Sequence, residues 1–136
     1  MADTITVGAA NGPVRALLRL EALALFLAAI ALYVHSGASW KLFAILILAP
    51  DLSMAFYLGG PRIGALAYNA AHSTVGPIAL AAIGYFVGPA ILVSVALIWA
   101  AHVGFDRALG YGLKYPSGFG DTHLGRIGRA RAAPQG

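Results

Sequence analysis

The chain has 136 residues, of which 60% are apolar or aromatic and only 10% are charged, and its mean hydropathy is +0.78. A soluble domain carries about 25% charged residues, so this composition excludes an ordinary water-soluble domain and favours a single domain embedded in lipid. The absence of cysteine excludes disulfides, zinc–thiolate sites, iron–sulfur clusters and thiol nucleophiles. Residues 1–12 contain no Lys or Arg and no apolar run, so they are not typical of a cleavable signal peptide.

Four segments are long and apolar enough to predict membrane-spanning helices, each of which needs about 20 residues. They cover residues 13–35, 40–58, 63–87 and 89–109, with a cytosolic segment at 1–12 and a basic, glycine-rich, partly disordered cytosolic tail at 110–136. Pro13 suits a first helical turn, and Pro77 predicts a kink in the third helix. Because the connections are short, the sequence predicts an all-α, antiparallel four-helix transmembrane bundle with up-down topology.

The distribution of Lys and Arg predicts the orientation of this bundle. Only Lys41 lies on one side of the membrane, at the start of the second predicted helix. The other basic residues all fall on the opposite side: Arg15, Arg19, Arg62, Arg107, Lys114, Arg126, Arg129 and Arg131. Because basic loops stay in the cytoplasm, both termini are expected there, in a multi-pass protein of a bacterial cytoplasmic membrane. The basic tail is expected to meet anionic lipid headgroups, and nucleic-acid binding is not expected.

Polar residues within the predicted spans form the candidate site. Ionisable groups inside a membrane are costly, so they usually face the bundle interior and serve a function. Counting residues from the turns, at about 1.5 Å per residue, places the polar side chains of all four helices in one layer slightly to the cytoplasmic side of the midplane. This layer contains Glu21, Asp51, Asn69, His72, His102 and Asp106.

The spacing of these residues predicts a metal site. Asn69 and His72 are three residues apart, and His102 and Asp106 are four apart, so each pair shares a helix face. Four-helix bundles build metal sites from such inward-facing carboxylates and imidazoles. The predicted ligands are Asp51, His72, His102 and Asp106. Glu21 and Asn69 are predicted catalytic residues that orient a ligand or a metal-bound water. Nitrogen and oxygen ligands without sulfur favour zinc, iron or manganese.

Other interpretations of the same residues stay open. Taken alone, each histidine is more typical of a hydrogen-bonded core residue than of a metal ligand. Asn69 could form an ordinary hydrogen bond between helices. The carboxylates and histidines also suit a proton or ion path, or a transport component. A third alternative is a non-catalytic subunit of a membrane complex with His72 and His102 as haem ligands, although the carboxylates disfavour a porphyrin. The segment from Asp121 to His123 is either a lid over the site or a loop without chemistry.

Several stretches of the chain resemble one known family. They are RLE at 19–21, APDLSM at 49–54, GPRIGALAYNAAH at 60–72, HVGFDRALGYGLKYP at 102–116 and FGDTHLGR at 119–126. These stretches resemble a small family of bacterial membrane proteins, domain of unknown function 4260, over about residues 15–128. The resemblance implies four membrane spans and supplies no activity.

The residues themselves favour a metal-dependent membrane enzyme that acts on a lipid or another hydrophobic substrate from the cytoplasmic leaflet. Hydrolysis and iron-dependent oxidation remain equally open, because two histidines with a carboxylate serve both. The expected partners are membrane lipids and the substrate. A second copy of the chain or a membrane complex is a further possible partner.

Overall fold

The computed structural model describes residues 9–127 and is mainly α-helical, as the sequence predicts. Most of the predicted segment 1–12, the end of the predicted tail and the basic residues Arg129 and Arg131 lie outside the described range. The helices are α1 (Gly12–Ser36), α2 (Trp40–Leu46), a 3-10 helix (Ala49–Gly59), α3 (Pro61–His72), α4 (Val75–Phe86) and α5 (Ala90–Leu109). Three short strands follow: β1 (Lys114–Tyr115), β2 (Gly118–Thr122) and β3 (Gly125–Arg126).

The helices pack mainly in pairs. α5 lies against both α1 and α4, α3 lies against the 3-10 helix, and the strands rest on α3. Much of the buried core consists of small residues, which let the helix backbones approach closely. The closest approach is at Gly104, where an added Cβ atom would lie 2.8 Å from both the Ala22 carbonyl oxygen and the Phe26 backbone nitrogen.

Three stretches of the described chain are long and apolar enough to cross a membrane: Gly12–Ser36, Trp40–Gly59 and Ala90–Leu109. Large apolar side chains are exposed along all the helices, including Leu66 of α3 and Val75 of α4. Such a surface is unfavourable in water and suits contact with lipid. Composition and surface together indicate a membrane protein.

The second predicted helix is not a continuous α-helix. Its first part is α2, and after Leu46 the chain continues as the 3-10 helix. Pro50 explains the change, because it has no N–H group to donate to the Leu46 carbonyl four residues earlier. The Asp51 N–H donates instead to the Leu48 carbonyl, at 3.0 Å, in the three-residue pattern of a 3-10 helix.

The third predicted helix, residues 63–87, is two separate helices. A kink at Pro77 is therefore wrong: α3 ends at His72, and Pro77 lies in the first turn of α4. Pro77 still explains the irregularity, but the helix breaks one turn before the proline rather than bending at it. Pro77 cannot donate to the Ser73 carbonyl, and its ring opposes helical geometry there, so the break falls at Ser73 and Thr74.

The part of the predicted tail that the structure describes, residues 110–127, contains the three strands. β1, β2 and β3 form an antiparallel sheet in that order, with Lys114 opposite Thr122 and Thr122 opposite Gly125. We call residues 110–127 the cap. The Asn69 side chain holds the cap against α3, donating to the Lys114 carbonyl at 2.8 Å and accepting from its N–H at 2.6 Å.

Candidate metal centre

Four side chains from three separate helical elements meet at one point. Asp51 lies in the first turn of the 3-10 helix, His72 is the last residue of α3, and His102 and Asp106 lie one turn apart on α5. One ligand atom from each lies within 4.8 Å of those from all the others. The structure thus brings together the four residues predicted as metal ligands, and this group can hold a metal ion.

The distances from the histidine nitrogens to each other and to the carboxylate oxygens lie between 3.1 and 3.5 Å. The two Nε2 atoms of His72 and His102 lie 3.1 Å apart, and each lies 3.2 Å from Asp51 Oδ1. Asp106 Oδ2 lies 3.5 Å from the first Nε2 atom and 3.1 Å from the second. Metal–nitrogen bonds of 2.0–2.1 Å in a tetrahedron separate neighbouring ligand atoms by about 3.4 Å. The distances that involve the two histidines therefore match those between neighbouring ligands of one metal ion, and all four ligand atoms lie within 4.8 Å of one another.

Backbone carbonyls fix the orientation of both imidazole rings. His72 Nδ1 donates to the Tyr68 carbonyl at 2.9 Å, and His102 Nδ1 donates to the Ile47 carbonyl at 2.5 Å. Since Nδ1 carries the proton in each neutral ring, each Nε2 atom presents a lone pair to the centre. A histidine that donates its second N–H to a carbonyl is the usual arrangement for a metal ligand.

The centre is deeply buried on its histidine side. His72 and His102 are 3% and 4% exposed, whereas the side chains of Asp51 and Asp106 are 32% and 19% exposed. Two carboxylates held this close together repel each other in a poorly solvated site. A cation between them removes the repulsion, and so the arrangement favours cation binding.

Two further residues support His72, and the sequence analysis did not identify them. The Tyr68 ring stacks on the His72 imidazole with centroids 3.7 Å apart and planes 5° from parallel. Arg107 Nη2 donates to the His72 carbonyl at 3.3 Å. The position of Tyr68, one helical turn before His72, could have predicted the stacking of the two rings. The hydrogen bond from Arg107 depends on the end of α3 at His72, which no sequence pattern predicted.

The two predicted catalytic residues lie outside the cluster. The amide of Asn69 is engaged by the Lys114 backbone, so its role in the structure is to hold the cap. Glu21 lines a separate cavity of about 260 Å³, together with Arg107 and His123. The cap thus contributes His123 to this second cavity rather than a ligand to the centre.

Burial changes the titration of two cap residues. It lowers the pKa of the Lys114 ammonium to about 8, although Asp106 opposes this shift. Within the described chain its Nζ atom has no hydrogen-bond partner and lies 4.7 Å from the Tyr68 ring and 4.1 Å from the Phe119 ring. Burial and the nearby Arg107 charge also lower the pKa of His123, whose Nδ1 accepts the Leu113 N–H at 2.9 Å.

An apolar cavity of about 430 Å³ adjoins the centre. Its walls come from α1, α2 and α5, and include Phe26, Ile30, Trp40 and Phe43. His102 and Asp106 also line it, whereas Asp51 and His72 do not. One edge of the centre therefore faces a hydrophobic space.

Comparison with known proteins gives a family and no activity. Neither the curated proteins nor the solved structures contain a match to the chain. The family model described as "Domain of unknown function (DUF4260)" matches residues 15–127. This match covers most of the chain, including all four residues of the centre and the cap, and confirms the resemblance noted in the sequence. The chain belongs to the DUF4260 family.

Proposed function

We propose that this protein is a metal-dependent membrane enzyme that acts on a lipid or another hydrophobic substrate. Asp51, His72, His102 and Asp106 hold a divalent metal in this proposal. The observation that carries it is the pair of Nε2 atoms 3.1 Å apart, each with its ring fixed by an Nδ1 hydrogen bond to a carbonyl. Two imidazole lone pairs this close to each other and to two carboxylates repel one another, and a cation that all four groups contact would remove this repulsion.

The arrangement favours a metal centre over a proton path. A path across the membrane needs ionisable groups spaced along its length. Here the four groups meet at one point, and Glu21 lies in a different cavity. Four ligand atoms grouped at one point suit the binding of one ion. They do not form the series of separate sites that a proton path needs.

The ligand set favours iron or manganese for catalysis. Imidazole and carboxylate ligands without sulfur suit zinc, iron and manganese. Four protein ligands close a tetrahedral zinc site, whereas catalysis needs an open position. Iron and manganese accept more than four ligands and keep a position open in this setting. A metal here supplies Lewis-acid polarisation and a water of lowered pKa, or redox chemistry in the case of iron.

The proposed topology has four crossings, with both ends on the cytoplasmic side of a bacterial membrane. In this topology α3 and α4 together make the third crossing: placed end to end, their 24 helical residues would reach about 36 Å at 1.5 Å per residue. This length exceeds the hydrocarbon thickness of about 30 Å. The excess of Lys and Arg on one side supports the orientation. Reporter fusions to the two chain ends should both report the cytoplasm, and a fusion at Gly37 the opposite side; ends on opposite sides would contradict this topology.

Elemental analysis of detergent-purified protein tests the metal. We expect about one divalent metal ion per chain in the wild type and its loss in His72→Ala, His102→Ala and Asp106→Ala. His35→Ala is the matched control, because His35 is exposed at the end of α1. The variants should still insert, since removing a buried polar group makes insertion easier.

Two other results would count against the proposal. Metal-free wild type with altered proton flux in the variants would favour the relay. Metal retained after loss of either histidine would contradict the assigned ligands.

A further inference from the structure

The wall of the apolar cavity beside the centre is almost entirely hydrocarbon. Aromatic and aliphatic side chains form its walls, and His102 and Asp106 are the polar side chains at its edge. A polar molecule in such a space would leave its own polar groups without partners, which is costly. A hydrocarbon chain has no such groups, and the cavity volume of about 430 Å³ falls in the usual range for bound small molecules.

The outer wall of the cavity reaches the lipid-facing surface of the protein. Trp40 is 54% exposed and Phe105 is 48% exposed, and both line the cavity. They belong to two of the stretches that are long and apolar enough to cross a membrane, Trp40–Gly59 and Ala90–Leu109. A chain therefore has a lateral route from the hydrocarbon of the bilayer into the cavity without crossing water.

The inner end of the cavity meets only one edge of the centre. His102 and Asp106 line it, whereas Asp51 and His72 do not. A molecule in the cavity therefore approaches the centre across the His102–Asp106 edge.

We infer that this cavity binds the apolar chain of the substrate, a single hydrocarbon chain drawn laterally from the membrane, with its reacting segment at the His102–Asp106 edge. This inference rests on the proposed function, of which it specifies the substrate class and the direction of approach. It assigns to Phe26, Ile30 and Phe43 the role of holding the chain.

Photolabelling in lipid nanodiscs tests the inference. The probe is a long-chain fatty acid with a diazirine near its end, and the labelled residues are mapped by mass spectrometry. We expect Phe26, Phe43 and Phe105 to be labelled in excess over Tyr85 and Phe86, which are exposed on α4 and report ordinary contact with surrounding lipid.

Matched variants separate a filled cavity from a changed surface. Ile30→Trp places a bulky ring in the cavity and should abolish the excess labelling. Leu32→Trp makes the same change on an exposed face of α1 and should leave the excess intact. Leu48→Trp fills the cavity from its lipid side, so the test survives if Ile30→Trp does not fold.

The outcomes distinguish this inference from the proposed function. Uniform labelling, or an excess that persists in both cavity-filling variants, would overturn chain binding even if the wild type carries metal. A metal-free wild type that keeps the excess labelling would support chain binding and contradict the metal-dependent enzyme.

Discussion

The Nε2 atoms of His72 and His102 face each other at 3.1 Å, and neither ring can turn away without giving up its hydrogen bond to a backbone carbonyl. The two carbonyls belong to Tyr68, in α3, and Ile47, which directly follows α2. The centre therefore joins α3, α5 and the end of α2, and its occupancy should affect the stability of the whole bundle.

Removing the metal should destabilise the protein. A ligand present at about 1,000 times its dissociation constant stabilises the folded state by about 4 kcal/mol, which chelation would take away. We expect a strong chelator to lower the thermal midpoint of the wild type in detergent, and divalent metal to restore it. His102→Ala should already have the lower midpoint and show no response. If neither chelator nor added metal changes the thermal midpoint of the wild type, the prediction that a bound metal stabilises the helix bundle is wrong.

Gly104→Ala should separate α1 from α5. The added methyl group would meet backbone atoms of Ala22 and Phe26 at 2.8 Å, and backbone cannot move aside as a side chain can. Overpacking of this kind costs about 1–3 kcal/mol. We expect a lower thermal midpoint with metal retained, because α1 supplies no ligand. Gly88→Ala is the control, since its methyl group would meet chiefly the flexible end of the Leu92 side chain at 2.6 Å.

Asn69→Leu should release the cap and spare the centre. The substitution removes two hydrogen bonds to the Lys114 backbone, at a cost of about 2 kcal/mol. We expect faster tryptic cleavage after Lys114 with an unchanged metal content. Asn11→Leu should behave like wild type, because Asn11 makes no capping hydrogen bond at the start of α1. Metal loss in Asn69→Leu alone would instead favour the orienting role that the sequence predicts for Asn69.

The free energy of unfolding should rise with pH between about 8 and 10.5, the folded and unfolded pKa values of Lys114. Burial lowers the pKa of this ammonium from 10.5 to about 8, so within that window the unfolded chain holds a proton that the folded protein has lost. Stability rises wherever the unfolded state binds more protons, here by at most about 3 kcal/mol. We expect the thermal midpoint to increase across the window in the wild type and in Lys41→Met, where an exposed lysine is removed, but not in Lys114→Met. An equal increase in all three would exclude Lys114 as its source.

Helical periodicity and depth counting predicted the residues of the centre because both depend on regular geometry. Asp51, His72, His102 and Asp106 lie at one level when residues are counted from the turns, and the structure brings them together. The same counting put Asn69 and Glu21 in that layer but could not give the rotation of each helix about its axis. That rotation depends on packing contacts such as the close approach of α1 and α5 at Gly104, and in the structure Glu21 lines a different cavity.

The cap and the helix break were harder to predict for a different reason. β1 and β3 are two residues long, too short for an alternating pattern to be visible. The sheet depends instead on long-range contacts, such as that between Asn69 and Lys114. Pro77 signalled an irregular third helix, but a proline allows either a bend or a complete break, and only packing selects between them.

The break before α4 has an electrostatic consequence for the centre. It ends α3 at His72, and α2 ends beside Ile47, whose carbonyl accepts from His102. The C-terminal end of an α-helix carries about half an elementary negative charge, so two helix dipoles add their negative ends to two carboxylates. The N-terminal end of α4, which begins at Val75, adds about half a positive charge near His72. Of the remaining charge of about −2.5, a single proton compensates less than half, whereas a divalent cation compensates most of it. Pro77, on a helix that supplies no ligand, thus contributes to an electrostatic environment that would favour the divalent ion of the proposed function.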